Sequence, residues 1–189
     1  MRIAAIILLV MALLGSMPVA AQEAKTKLVH QDEILVVGID ARTSGEKEMT
    51  GEGVIPDLWQ RFYQERILDT IPNKVDASVY ALYAEFSRDR MGAYTVVIGA
   101  RVKDKSHVPA GFVLKVIPAG TYAVIASDKG PAPTVIPAAW LKVAALEDKE
   151  ELGGKRAYKT DFEVYQQLTD PQNVQADLFV GLKEAPAQK

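Results

Sequence analysis

The sequence predicts an α+β domain built from two strand-helix-strand-strand modules. A pseudo-twofold axis relates them, and an antiparallel sheet carries helices on one face, with a central cleft. Three observations predict this. The pattern Val-Ile-Pro-x-x-Trp occurs twice, at Val54–Trp59 and at Val135–Trp140, 81 residues apart. Other pairs keep a similar interval: 78 residues separate Tyr80 from Tyr158 and Glu85 from Glu163, and 82 separate Gly99 from Gly181. Both halves also present extended and helical runs in the same order. Self-similarity at a fixed period is how a duplicated unit shows itself, and small loop insertions account for the drift.

The first strand is "DEILVVGIDART", rich in β-branched residues. Over Pro56–Thr70, Leu58, Phe62 and Leu68 recur at helical spacing beside Trp59, Tyr63 and Ile67. Pro56 suits a first helical turn, and "TIPNK" ends the helix. Two extended runs follow, "SVYALYAEFS" and "YTVVIGARV", joined by the charged "RDRMG". In the second half, "GFVLKVIPAGTYAVIAS" is extended around a Pro-Ala-Gly turn, and "PTVIPAAWLKVAALED" is helical up to "LGG". "RAYKTDFEVYQ" and "ADLFVGLK" supply the last two strands. The repeats span about 27–103 and 110–183.

Side chains alternate along a strand. Phe162 and Val164 therefore share one face, while Asp161, Glu163 and Tyr165 share the other. In the first copy Leu82 and Phe86 oppose Tyr83 and Glu85 in the same way. The expectation is that helices cover the apolar faces and that the remaining faces form a groove of aromatics and carboxylates at the axis.

The N-terminus has the layout of a secretory signal peptide. It carries one charge at Arg2, an apolar run from Ile3 to Leu14, and small residues at Val19 and Ala21. The run is short for a bilayer span of about 20 residues. Cleavage after Ala21 leaves residues 22–189 as the domain, without stable membrane insertion and placed in the periplasm or outside the cell. The chain has 22 basic and 24 acidic residues, a net charge of −2, and the basic residues are scattered. That pattern gives no footprint for nucleic acid. The absence of cysteine excludes disulfides, thiolate chemistry and cysteine-ligated zinc. His30 and His107 stand apart from other ligands at metal spacing, so no metal is expected. The glycines of "VVGID" and "VIGAR" match no phosphate loop. No cofactor is implied.

"VIPAGTYAVIAS", a helix carrying a tryptophan, "RAYKTDFEVYQ" and "DLFVGLK" together resemble the gyrase-inhibitory-protein-like (GyrI-like) effector-binding domain, also found in AraC-type regulators. The resemblance spans roughly Lys27–Lys183. It implies a central ligand cleft for small, often cationic and aromatic molecules. The family's cleft glutamate falls on Glu163, with Tyr165 beside it. Unlike the regulators, no helix-turn-helix segment is recognisable here, so DNA binding is not expected.

These readings converge on Glu163 as the residue that selects a cation, since a partly desolvated carboxylate attracts positive charge strongly. Tyr83, Tyr94, Tyr122 and Tyr165 are candidate walls for an aromatic ligand, with Trp59 and Trp140 as further contacts or as core. Glu85, close to Arg88 and Arg90, reads as a structural ion-pair member. The expected function is a stand-alone small-molecule-binding protein with no identified protein partner. The alternative is a hydrolase of reactive small molecules, with Glu163 activating water beside Tyr165.

Overall fold

A computed structural model describes residues 26–166, 168 and 170–184. The expected signal peptide, residues 1–21, lies outside the described residues. Eight strands form one antiparallel sheet in the order β1-β6-β8-β7-β3-β4-β2-β5. They are β1 (Lys27–Gln31), β2 (Ile34–Ser44), β3 (Val79–Ala84), β4 (Ala93–Arg101), β5 (Val113–Ile117), β6 (Gly120–Ala126), β7 (Thr160–Tyr165) and β8 (Asp177–Gly181). Read from its two ends, the order exchanges β1 with β5, β6 with β2, β8 with β4, and β7 with β3. The pseudo-twofold axis therefore passes between β3 and β7. The lead strand of each half pairs in the other half's territory, β1 with β6 and β5 with β2. This crossing of strands ties the two modules into one sheet.

The helices are α1 (Gly45–Thr50), α2 (Ile55–Gln64), α3 (Ile67–Thr70) and α4 (Ala132–Asp148). Ser44 caps α1 by accepting from the Lys47 amide, and Gly51 ends it at φ 80°. The single helix expected over Pro56–Thr70 is broken, because Arg66 adopts a left-handed conformation (φ 50°) between α2 and α3. α2 buries Leu58 and Phe62, one turn apart. α4 buries Val135, Ala139 and Val143, a narrow stripe of small residues at four-residue spacing. Pro137 lies inside α4 and supplies no amide for a helical hydrogen bond.

The two faces of the sheet carry separate cores. On the helix side lie Val37, Ile39, Val96, Ile98, Ala123, Leu178 and Val180, packed with Leu58, Phe62 and Val143. On the other side Ile34, Val36, Tyr80, Leu82, Val97, Ile117, Tyr122 and Phe162 form a second cluster. Those residues come from strands at both ends of the sheet and are buried without a helix over them, so the sheet curls around them. The groupings of side chains follow the expected alternation, but the assignment of helices is reversed. Phe162 and Leu82 face the curled interior, and the helices cover the face that bears Glu163, Asp161, Tyr165 and Tyr83. Phe86 also departs from expectation: positive φ at Glu85 ends β3 and swings Phe86 to the helix-side core.

Gly38 and Gly99 sit directly opposite each other in the β2–β4 ladder. A Cβ on either would strike backbone of the facing strand, at Ile98 for Gly38 and at Val37 for Gly99. Close backbone approach accounts for both glycines.

Candidate functional site

The site grows from the central strand pair. In the β3–β7 register Val79 faces Tyr165, Ala81 faces Glu163, and Tyr83 faces Asp161. Facing residues of a ladder share a face, so these six side chains project together beneath α2 and α4. The methyl group of Ala81 opposite Glu163 leaves room above the carboxylate, and Trp140 of α4 fills it.

Glu163 is completely buried (0 % exposed). Its Oε1 accepts from Tyr83 Oη at 2.7 Å and from Trp140 Nε1 at 2.5 Å, and its Oε2 accepts from Tyr165 Oη at 2.5 Å. All three donors are neutral. Among the described residues Glu163 takes part in no salt bridge. Burial pushes its carboxyl above the ordinary value, against the pull of the hydrogen bonds from Tyr165, Trp140 and Tyr83. Burial and the nearby carboxylate in turn hold the Tyr83 and Tyr165 hydroxyls well above theirs. They remain donors throughout the physiological range.

Aromatic rings enclose this group. Trp59 stands edge-on to Tyr165 at 5.4 Å and stacks on Tyr63 at 5.9 Å. Trp140 stands edge-on to Tyr83 at 5.1 Å, and Tyr83 to Tyr94 at 5.9 Å. Both tryptophans are half-buried and pack against the helix-side core. Six of the seven residues singled out from the sequence thus lie in or against one cluster: Glu163, Tyr165, Tyr83, Tyr94, Trp59 and Trp140.

Tyr122 does not join them. It belongs to the curled interior on the opposite face, against Phe162 at 5.3 Å, with its hydroxyl on the Pro118 carbonyl at 2.9 Å. Alternation along β6 decides this, because Ala123 and Ile125 take the helix side. Burial pushes the Tyr122 hydroxyl up to about 12.

Glu85 is exposed at the end of β3. It pairs with Lys115 and accepts from Thr95 Oγ1 at 2.6 Å. Lys115 and Thr95 hold its carboxyl below the ordinary value. Arg88 and Arg90, its expected partners, bind Glu46 and Asp148 instead. Its role is structural, and it does not occupy the position in β3 that Glu163 has in β7. His30 and His107 are exposed. No group of three or more potential metal ligands comes together among the described residues.

Arg156, Glu147 and Asp161 form a network that sequence reasoning missed. Arg156 (6 % exposed) donates from Nε and Nη2 to Asp161 Oδ2 at 3.1 and 2.8 Å, and from Nη1 to Glu147 Oε2 at 3.1 Å. Asp161 Oδ1 also accepts the Gly181 amide at 2.8 Å. The only sequence signal for this network was Asp161 on the same strand face as Glu163.

An open recess of about 790 Å³ lies elsewhere, lined by Asp76, Tyr80, Lys129, Val164 and Asp177 among others. Tyr80 and Val164 belong to the far face of the sheet, so this recess does not reach Glu163. Glu163 itself has no exposure to solvent.

Residues 27–182 match the family model Cass2, described as integron-associated effector binding protein. A curated relative, the "putative transcriptional regulator protein YobU" of Bacillus subtilis (strain 168), is 30% identical over 159 residues, covering 83% of this chain and 97% of the relative. The integron cassette protein VCH_CASS2 of Vibrio cholerae has a similar fold, with a TM-score of 0.63 at 24% identity, covering 83% of this chain and 96% of that one. SAV2435, solved bound to tetraphenylphosphonium, matches with a TM-score of 0.68 at 17% identity, covering 84% and 93%.

Proposed function

The chain belongs to the family of integron-associated effector binding proteins, within the GyrI-like effector-binding fold, and we propose that it binds hydrophobic organic cations at Glu163. The observation that carries this reading is a fully buried carboxylate satisfied by three neutral donors and, among the described residues, paired with no cation. A buried carboxylate of this kind is held above its ordinary pKa, and a cation placed against it restores the charged form. The surrounding rings suit a flat or propeller-shaped aromatic cation, contacted through ring faces and edges. Tetraphenylphosphonium, the ligand of SAV2435, has this chemistry.

On this reading the protein is exported to the periplasm or beyond and sequesters such compounds without binding nucleic acid. The signal-peptide pattern of residues 1–21 supports export. No helix among the described residues is long and apolar enough to cross a membrane. N-terminal sequencing of protein from the envelope fraction checks this, with a start near Gln22 as the expected result and an intact Met1 as the refuting one. Binding is checked by calorimetric titration with tetraphenylphosphonium and with triphenylphosphine oxide, a neutral analogue. Tighter binding of the cation supports the reading; equal affinities refute it. Hydrolysis by Glu163 would need a water to reach the carboxylate, which is fully buried.

A further inference from the structure

The two tryptophans beside Glu163 are held in different ways. Trp59 meets its surroundings through ring contacts, with Phe62 at 5.6 Å, Tyr165 at 5.4 Å and Tyr63 at 5.9 Å. Its indole nitrogen makes no hydrogen bond among the described residues and is not buried unsatisfied. Trp140 is fixed twice over. Its Nε1 donates to Glu163 at 2.5 Å, and the guanidinium of Arg156 lies 5.7 Å from its ring centroid. That distance is within the range at which an arginine is attracted to an indole face.

Arg156 is itself rigidly placed. Two of its nitrogens hold Asp161 and a third holds Glu147, and its plane covers the Tyr158 ring at 4.5 Å. Asp161 stands two residues before Glu163 on the same face of β7. Glu147 stands seven residues, about two turns, after Trp140 along α4. One side chain therefore ties the strand bearing the carboxylate to the helix bearing Trp140. Neither cation of this strap is spent on Glu163. Arg156 pairs with Asp161 and Glu147, and Arg90 lies 3.5 Å from Glu147 and 2.8 Å from the exposed Asp148, so two arginines face three carboxylates and none is left over for Glu163.

We infer that Arg156 fixes Trp140 as the standing wall of the chamber, leaving Trp59 as the side chain that gives way to admit a ligand. This rests on the Glu163 chamber being the binding site. Arg156 is a positioning residue, acting through Trp140. Lysine could not replace it, since an ammonium keeps the charge but lacks both the fork that spans two carboxylates and the plane that stacks on a ring.

The protein has two tryptophans, so each can be observed alone. In the unliganded protein, time-resolved fluorescence anisotropy of the Trp59→Phe variant reports Trp140, and that of Trp140→Phe reports Trp59. The expected result is a slow, rigid Trp140 that gains fast rotation on Arg156→Lys, with Trp59 unaffected by the same change. Equal gains at both tryptophans, or none at Trp140, overturn the inference. Should Arg156→Lys fail to fold, Glu147→Gln loosens the same strap from its partly exposed side and gives the same readout. With tetraphenylphosphonium as the probe, saturation should free Trp59 and leave Trp140 rigid; the reverse overturns the inference. Arg156→Lys should also weaken its binding about tenfold, a loss that vanishes in the Trp140→Phe background. A loss of equal size in both backgrounds shows a general effect on the fold and sinks the positioning role. If the unaltered protein binds no tetraphenylphosphonium, the functional reading fails, while the anisotropy of the unliganded protein still decides the role of Arg156.

Discussion

Ala81 and Glu163 face each other across the central strand pair, one from each half of the duplicated sheet. The smallest side chain of the pair makes room for the most costly one. Because Ala81 stops at a methyl group, it does not compete for the space in which the Glu163 carboxylate receives Tyr83 from β3, Tyr165 from its own strand, and Trp140 from α4. A larger residue at position 81 would fill the space now occupied by these hydrogen bonds. The duplication thus supplies a symmetric frame, and the chemistry at its axis is asymmetric.

Replacing the carboxylate tests its charge. Glu163→Gln should weaken tetraphenylphosphonium binding by about 30-fold or more, the scale of losing one partner of a buried charge pair at roughly 2 kcal/mol. Triphenylphosphine oxide should lose far less. Calorimetric titration of both ligands against both proteins measures this, and equal losses would remove Glu163 as the selecting group.

The same carboxyl should make the empty protein's stability depend on pH. Its folded pKa is raised above the ordinary 4.5, chiefly by burial. Its contribution is therefore complete below the unfolded value and is lost as pH rises through the higher folded value. Tm measured by calorimetry should fall over that interval, and Glu163→Gln, which has no such proton, should flatten the fall. Comparing the two curves separates Glu163 from Asp161, whose carboxyl burial also raises. Parallel curves would mean that Glu163 is already ionised in the empty protein. Cation binding should release a proton in the same interval, seen as a binding heat that varies with the buffer's ionisation heat.

The duplication was legible because both tryptophan helices carry the same Val-Ile-Pro, at the start of α2 and about one turn inside α4, and because Gly99 and Gly181 kept their interval. The grouping of Glu163 with Tyr165 and Asp161 followed from period-two alternation, which depends on local geometry alone. Which face the helices would cover was not legible in this way. "DFEVY" presents an apolar face and a mixed face, and the apolar one turned out to be buried by the curl of the sheet, a property of all eight strands together. Tyr122 was misplaced for the same reason. β1 was overlooked because "KLVHQ" is short and mostly exposed, and pairs with a strand about 90 residues away. The break at Arg66 has no strong local signal, since arginine is an ordinary helix former. α1 did carry one, with Ser44 before it and Gly51 after it.

The facing glycines give a prediction for the frame alone. Gly99→Ala would drive a methyl group into the backbone of β2 at Val37 and Gly38. The strands would have to separate, at a cost of about 3 kcal/mol, the upper part of the usual range for overpacking. Urea denaturation followed by circular dichroism measures it. A change below about 1 kcal/mol would show that the ladder tolerates the methyl group and that the close approach is not what demands glycine there.

Tyr83 and Tyr122 provide the sharpest contrast, because each is buried, each donates one hydrogen bond, and they lie on opposite faces of the sheet. Tyr83 donates to Glu163 at 2.7 Å and Tyr122 to the Pro118 carbonyl at 2.9 Å. Phenylalanine at either position keeps the ring and removes the hydroxyl, so each variant should lose about 1 kcal/mol of stability, the usual worth of such a bond. Only one should affect binding. Without the Tyr83 hydroxyl, Glu163 loses a donor that favours its charged form, so its folded pKa rises further and a bound cation must work against a larger cost of ionising the carboxyl. Tyr83→Phe should therefore weaken tetraphenylphosphonium binding by about tenfold, the scale of one hydrogen bond to a charged group. It should also move the proton-release interval to higher pH. Tyr122→Phe should leave both unchanged, because Tyr122 belongs to the cluster on the opposite face and its hydroxyl is held by the Pro118 carbonyl. Titration calorimetry at three pH values against the two variants decides the matter. If the two variants bind alike, the hydroxyl of Tyr83 does not act through Glu163, and the chamber's selectivity resides in its rings.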